Sequence, residues 1–132
     1  MTTGNNSKKA VIEALNGILA DSFAPYLKTK NFHWHVSGPH FRDYHLLFDD
    51  HAAQILATTD PIAERVRKNG HRTLTSIGDI SRRQALADND DEKVSAADML
   101  AELRSDNLKL VARLREAKDL ASAAGDNSTD GL

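Results

Sequence analysis

Lys30-Asn31-Phe32-His33-Trp34-His35-Val36-Ser37-Gly38-Pro39-His40-Phe41, followed by Tyr44-His45-Leu46-Leu47-Phe48-Asp49, carries the densest chemistry in the chain. His33, His35, His40 and His45 are four of its six histidines, and Trp34 is its only tryptophan. Gly38-Pro39 interrupts the stretch. Glycine ends helices in the left-handed conformation, and proline lacks an N–H to continue one but suits a loop or a first turn. The expectation is two helices joined by a sharp turn, with imidazoles on both sides of it. A metal site is the first hypothesis, and its remaining ligands must come from elsewhere in the chain.

Upstream, residues 1–6 are polar and read as a flexible tail, with Ser7 as a candidate cap. Val11, Leu15, Ile18, Ser22 and Tyr26 then follow helical spacing, widened by Ile12, Leu19, Phe23 and Leu27. Pro25 falls inside this pattern. A mid-helix proline removes a hydrogen bond and clashes with the preceding turn. The apolar face resumes in phase at Leu27 and Phe32, so a kinked helix is expected rather than two separate ones.

Downstream of the turn, Phe41, His45, Phe48, Ala52, Ile55, Leu56 and Thr59 make a broad apolar face. Asp60-Pro61 reads either as an N-cap and first position of a new helix or as a kink. Ile62 and Val66 stay in phase with Ile55 and Thr59, which favours one long helix ending at Asn69-Gly70. Residues 71–94 form a connection with a short helix expected near 78–86 and an acidic run at Asp88-Asn89-Asp90-Asp91-Glu92. Ser95, with Asp98 three residues on, caps a third long helix whose core face is read as Leu100, Leu103, Val111, Leu114, Ala117 and Ala121. Gly125 stops it, and Asp126–Leu132 look like a turn and a fresh cap. There is no repeat and no strand pattern, so the chain reads as all-α.

With 132 residues the chain suits a single domain with one hydrophobic core. It has no cysteine, which excludes disulfides, thiolate metal sites and thiol catalysis. Any metal must be held by nitrogen and oxygen, a donor set that suits iron, manganese or zinc. No apolar run reaches the roughly 18 residues of a membrane span and no signal-peptide core follows the N-terminus, so a cytoplasmic protein is expected. The net charge of −2 argues mildly against non-specific nucleic-acid binding, which needs many cationic contacts to phosphate.

His45 and Asp49 are four residues apart, as are Asp60 and Glu64, so each pair projects from one face of a helix on adjacent turns. The Gly38-Pro39 turn can bring His33 beside His45. This gives two groups of hard-metal ligands, His33/His45/Asp49 and Asp60/Glu64. At about 1.5 Å per residue, Asp49 and Asp60 lie roughly 16 Å apart along a continuous helix. Metal–ligand bonds are near 2 Å, so the two groups cannot share a metal within one subunit. A two-fold dimer would set one group of each chain against the other group of its partner, twice. Taken singly, each feature has a plainer reading: a surface His–Asp pair, an ordinary cap at Asp60, a solvated Glu64–Lys68 pair, a packed His33 and Trp34.

The combination Lys30-Asn31-Phe32-His33-Trp34-His35-Val36-Ser37-Gly38-Pro39-x-Phe41, His45-x₃-Asp49 and Asp60-x₃-Glu64 resembles the Dps mini-ferritins, from about residue 8 onward. The resemblance implies a ferritin-like four-helix bundle with a short helix in its middle connection. It implies a twelve-subunit shell with iron sites at the two-fold interface, where ferrous iron is oxidised, preferably by hydrogen peroxide, and stored as ferric mineral. It maps His33, His45 and Asp49 to one side of the ferroxidase site and Asp60 and Glu64 to the other subunit's side. It suggests that Trp34 takes up stray oxidising equivalents, against the plainer reading that it packs. It likens Asp126 and Asp130 to acidic residues at iron-entry pores. His35, His40, His51 and His71 match no ligand position.

The sequence also departs from the family pattern. The family carries a fourth long helix after the segment corresponding to Asp126–Leu132, and no residues follow Leu132 here. The expectation is a C-terminally incomplete domain with exposed apolar faces, weakened assembly and a tendency to aggregate. Family members that bind DNA often use a lysine-rich end, whereas the tail here offers Lys8 and Lys9, so weak DNA binding is expected. The alternatives to a ferroxidase are a nucleoid-associated DNA-compacting protein and a catalytically idle helical interaction module.

Overall fold

The computed structural model describes residues 2–125, with side chains from residue 7 onward. Its elements are α1 (Thr2–His35), α2 (Phe41–Ala57), α3 (Thr59–Lys68), α4 (Ile77–Arg83) and α5 (Ala96–Ala123), with no strand among the described residues. Ser7, expected to cap the first helix, lies inside α1. Asp126–Leu132, including the expected final turn and cap, lie outside the described residues.

α1 is the hub: α2, α3, α4 and α5 all pack on it. Two apolar clusters sit along its length. One joins Val11, Leu15, Ile18 and Leu19 to Ile62 and Val66 of α3 and to Ala117 and Ala121 of α5. The other joins Phe32 and Val36 to Phe48 of α2 and to Met99 and Leu103 of α5. The start of α5 therefore meets the end of α1, and the two run antiparallel. Phe32, Phe48, Ile18 and Leu19 are almost wholly enclosed, and burying each such side chain contributes about 1.5–3 kcal/mol.

α1 passes through Pro25 as a single helix. Beyond the proline the Thr29 hydroxyl donates to the Pro25 carbonyl at 2.7 Å. The second helix is a correction: in place of one long helix to Asn69, α2 and α3 are separate elements with Thr58 between them. Pro61 has no N–H to offer the Ala57 carbonyl four residues back, and its ring crowds that turn. The Ala57 end of α2 is where the ladder stops. Thr58 keeps right-handed helical backbone angles, and the hydroxyls of Thr58 and Thr59 donate to the carbonyls of Ile55 and Leu56, each at 2.7 Å. The chain is thus re-started rather than turned, and Asp60 sits inside α3 instead of capping it.

Gly38 and Gly70 adopt positive φ at the ends of α1 and α3, the conformation in which a side chain would be strained. Ser76 and Ser95 cap α4 and α5, their hydroxyls accepting from the backbone N–H of Asp79 and Asp98. On α5 the buried face is Met99, Leu103, Asp106, Ala117 and Ala121. Leu114, expected in the core, is 41% exposed, and so are Leu27 of α1 and Phe41 and Leu56 of α2 to comparable degrees or more. Leu114 borders an open groove of about 690 Å³ that runs between Leu15 and Ile18 of α1, Ile62 of α3 and Ala117 of α5. No described element covers that side, so Leu114 is not a core residue here.

Candidate metal centre at the α1–α2 junction

The tight turn at Ser37–His40 folds the start of α2 back along the end of α1. That places His33 against His45, with ring centroids 3.7 Å apart and planes 17° from parallel. Phe41 stacks on the other face of His45 at 5.0 Å. The clasp is reciprocal. His33 Nδ1 lies 2.5 Å from the His45 carbonyl oxygen, and His45 Nδ1 lies 2.7 Å from the His33 carbonyl oxygen. A carbonyl can only accept, so both Nδ1 atoms carry hydrogen and donate. In the neutral ring this leaves the lone pair on Nε2, the arrangement by which a backbone carbonyl orients a metal-binding histidine.

Asp49 completes the group from the next turn of α2. Its Oδ1 is 3.9 Å from His33 Nε2, too far for a hydrogen bond. Both atoms are donors of the kind that would hold a metal ion. His33 is 8% exposed, whereas the Asp49 side chain is half exposed, so the site opens to the surface on the carboxylate side. The same Oδ1 accepts a hydrogen bond from Lys30 Nζ at 2.8 Å. This bond, more than any other influence, holds the Asp49 carboxyl below the usual carboxylate range; partial desolvation opposes it, and the charges of Lys30, His33 and His45 add to it.

The structure therefore brings three of the five sequence-expected ligands together and leaves two apart. Asp60 and Glu64 are both exposed on α3. Among the described residues no group of three or more His, Asp or Glu side chains is placed to hold a metal ion. The other histidines are engaged or remote. His35 Nδ1 lies 2.8 Å from both oxygens of Asn31, His40 meets the Tyr44 ring edge-on, and His51 and His71 are half-buried away from the junction. Trp34 is 56% exposed, so it does not pack into the core of its own chain. Asp126 and Asp130, expected at an iron-entry pore, lie outside the described residues.

Sequence reasoning missed Lys30. Its signal is its position three residues before His33, which puts it on the same helix face.

A helical hub bearing histidine and carboxylate donors at its first interhelical turn defines a ferritin-like bundle, and the family model for the ferritin-like domain matches residues 12–132. The chain is 36% identical over 115 residues to an uncharacterised low-temperature-induced protein of Nostoc sp., a match covering 87% of this chain and 64% of that protein's length. It is 31% identical over 122 residues to the DNA protection during starvation protein of Brevibacillus brevis, covering 92% of this chain and 81% of that one. The solved structure of Dps from Thermosynechococcus elongatus superimposes with a TM-score of 0.93 at 24% identity, covering 96% of this chain and 80% of that one. The chain belongs to the ferritin-like family, among its Dps mini-ferritins.

Proposed function

We propose that the protein oxidises ferrous iron, with hydrogen peroxide as the electron acceptor, and sequesters the product, at sites completed between two copies of the chain. The observation that carries this reading is the His33–His45 clasp. It fixes two imidazoles by their Nδ1 atoms, with His33 Nε2 facing Asp49 across 3.9 Å. Such a group is half a coordination sphere. Asp60 and Glu64, exposed on α3 and four residues apart, supply the other half from the partner. Iron is the substrate here, and imidazole with carboxylate is a donor set that suits it. Few protein ligands leave positions open for peroxide or water.

The dimer follows from the half-site, and the resemblance extends it to a twelve-subunit shell. The B. brevis relative's name states DNA protection. For this chain the same outcome follows in the cytoplasm by removing ferrous iron and peroxide, which together generate hydroxyl radical, and needs no direct DNA contact. Lys8 and Lys9 are exposed on α1, a small cationic footprint for phosphate binding.

Stopped-flow absorbance of ferrous iron oxidation, with peroxide as oxidant, tests the site. His33→Ala and Asp60→Ala each reduce the rate by at least tenfold. Co-assembling the two variants at equal amounts regenerates one intact site in every mixed dimer, restoring roughly one quarter of the normal rate. Unchanged rates in both single variants would sink the site. No recovery on mixing would show that the two residues act within one subunit.

A further inference from the structure

Lys30 has no part in the ligand set, yet its ammonium lies 2.8 Å from the one Asp49 oxygen that faces His33. It also stands 5.9 Å from the centre of the Trp34 ring. We propose that Lys30 is a built-in competing cation: it occupies Asp49 while the site is empty, must be displaced when a metal takes that oxygen, and so sets the metal concentration at which the site fills. This rests on the reading of His33, His45 and Asp49 as metal ligands.

The argument is one of charge and reach. The lone pairs of Asp49 Oδ1 are finite, and one is held by an N–H of Lys30. A divalent ion bound beside Oδ1 would sit within a few ångströms of a fixed positive charge, and like charges at that separation repel even in water. Lys30 has room to leave, because its stem is flexible and its side chain is 22% exposed. Trp34 lies one helical turn along α1 and offers the face of an aromatic ring, where an ammonium is favourably received. In the position the structure shows, the ammonium bonds Asp49 and already stands near the Trp34 ring, so a favourable neighbour remains when it gives up the carboxylate. The histidines carry no such competitor among the described residues, where each is hydrogen-bonded through Nδ1. Metal therefore loads first on imidazole and engages Asp49 only as Lys30 leaves.

Trp34 is the only tryptophan, so its emission reports this movement in the assembled protein. Zinc ion, which is redox-silent, is the probe, titrated into the metal-free protein by calorimetry and by Trp34 fluorescence. Lys30→Met keeps the stem and removes the charge; it tightens zinc binding by about tenfold and abolishes the zinc-dependent change in emission. Lys30→Arg, which keeps the charge, stays near the unsubstituted affinity. In an Asp49→Asn background, Lys30→Met has no further effect. A tightening of binding cannot arise from a misfolded variant. Equal zinc affinity with and without Lys30, in a protein whose binding His33→Ala still weakens, overturns the role of Lys30 and leaves the site intact. Zinc binding indifferent to His33→Ala overturns both.

Discussion

Asp79 shows how a single residue links local geometry to pH. It lies in the first turn of α4, where its carboxylate accepts from Arg83 Nε at 3.1 Å and from the Thr75 backbone N–H at 3.3 Å. The Arg83 hydrogen bond leads in holding the Asp79 carboxyl below its ordinary value of 3.8; desolvation opposes it, and the Thr75 N–H and the charges of Arg83 and Arg82 reinforce it. A carboxyl depressed in the folded state stays ionised there at pH values that protonate it in the unfolded chain. Its contribution to stability is complete above the unfolded value and is lost as pH falls through the folded one. Asp49, depressed chiefly by Lys30, acts in the same sense. Melting temperature should therefore drop as pH is lowered from about 5 to about 2. Asp79→Asn should give a shallower drop and Asp79→Glu a steeper one than Asn; identical pH profiles for all three would remove Asp79 from the account. The i,i+4 spacing of Asp79 and Arg83 was visible in the sequence, whereas the Lys30–Asp49 pair was not, because it joins two helices.

At the scale of the element, the helix ends were the most legible features. Ser95 with Asp98 read as a cap, and the Ser95 hydroxyl does accept from Asp98 N–H at 3.1 Å. A cap is a local device, decided by residues within one turn of each other. Ser95→Ala should cost about 1 kcal/mol in urea denaturation, while Ser95→Thr should cost less than half as much. A null effect of Ser95→Ala would mean that packing at Met99 holds this end alone. The α2–α3 break was less legible. Asp60-Pro61 fits either a new helix start or a kink, and the in-phase apolar face on both sides favours continuity. The missing N–H opened the ladder at Ala57, and the burial of Ile62 and Val66 against α1 kept the two segments in the same phase.

Across the whole molecule, polar links tie α1 to α5 and to the long connection between its two apolar clusters. Lys28 Nζ donates to Asp106 at 2.7 Å and to Glu102 at 3.2 Å, with Lys28 and Asp106 both buried. Glu102 in turn accepts from Asn89, which fastens the acidic connection to α5. Nearer the start of α1, the fully buried Asp21 pairs with Arg113 of α5 and accepts from the Ala85 N–H at 2.8 Å. Gly17 leaves the room that the Arg113 guanidinium occupies. Breaking a buried pair strands a charge, so Lys28→Met should destabilise the fold by about 3–5 kcal/mol. Lys28→Met with Asp106→Leu should recover most of that loss, because the stranded carboxylate is gone and two apolar groups replace the pair. Denaturant midpoints measure both, and a double variant no better than the single would show that Glu102, not Asp106, is the essential partner.

The sequence by itself determined the all-helical class, the Ser95 cap, the turn at Gly38 and the histidine and carboxylate spacing, because each depends on residues within a turn or two of one another. It also fixed, through the rise of a helix, that Asp49 and Asp60 stand too far apart to share a metal in one chain. Only the tertiary structure decided what each face meets. Periodicity gives a side chain its direction but not its neighbour, and so the covering of Leu103 and the exposure of Leu114 on the same helix were equally compatible with the pattern. The ammoniums of Lys28 and Lys30 likewise find carboxylates 78 and 19 positions away. Those pairings exist because antiparallel packing on α1 brings distant helices side by side.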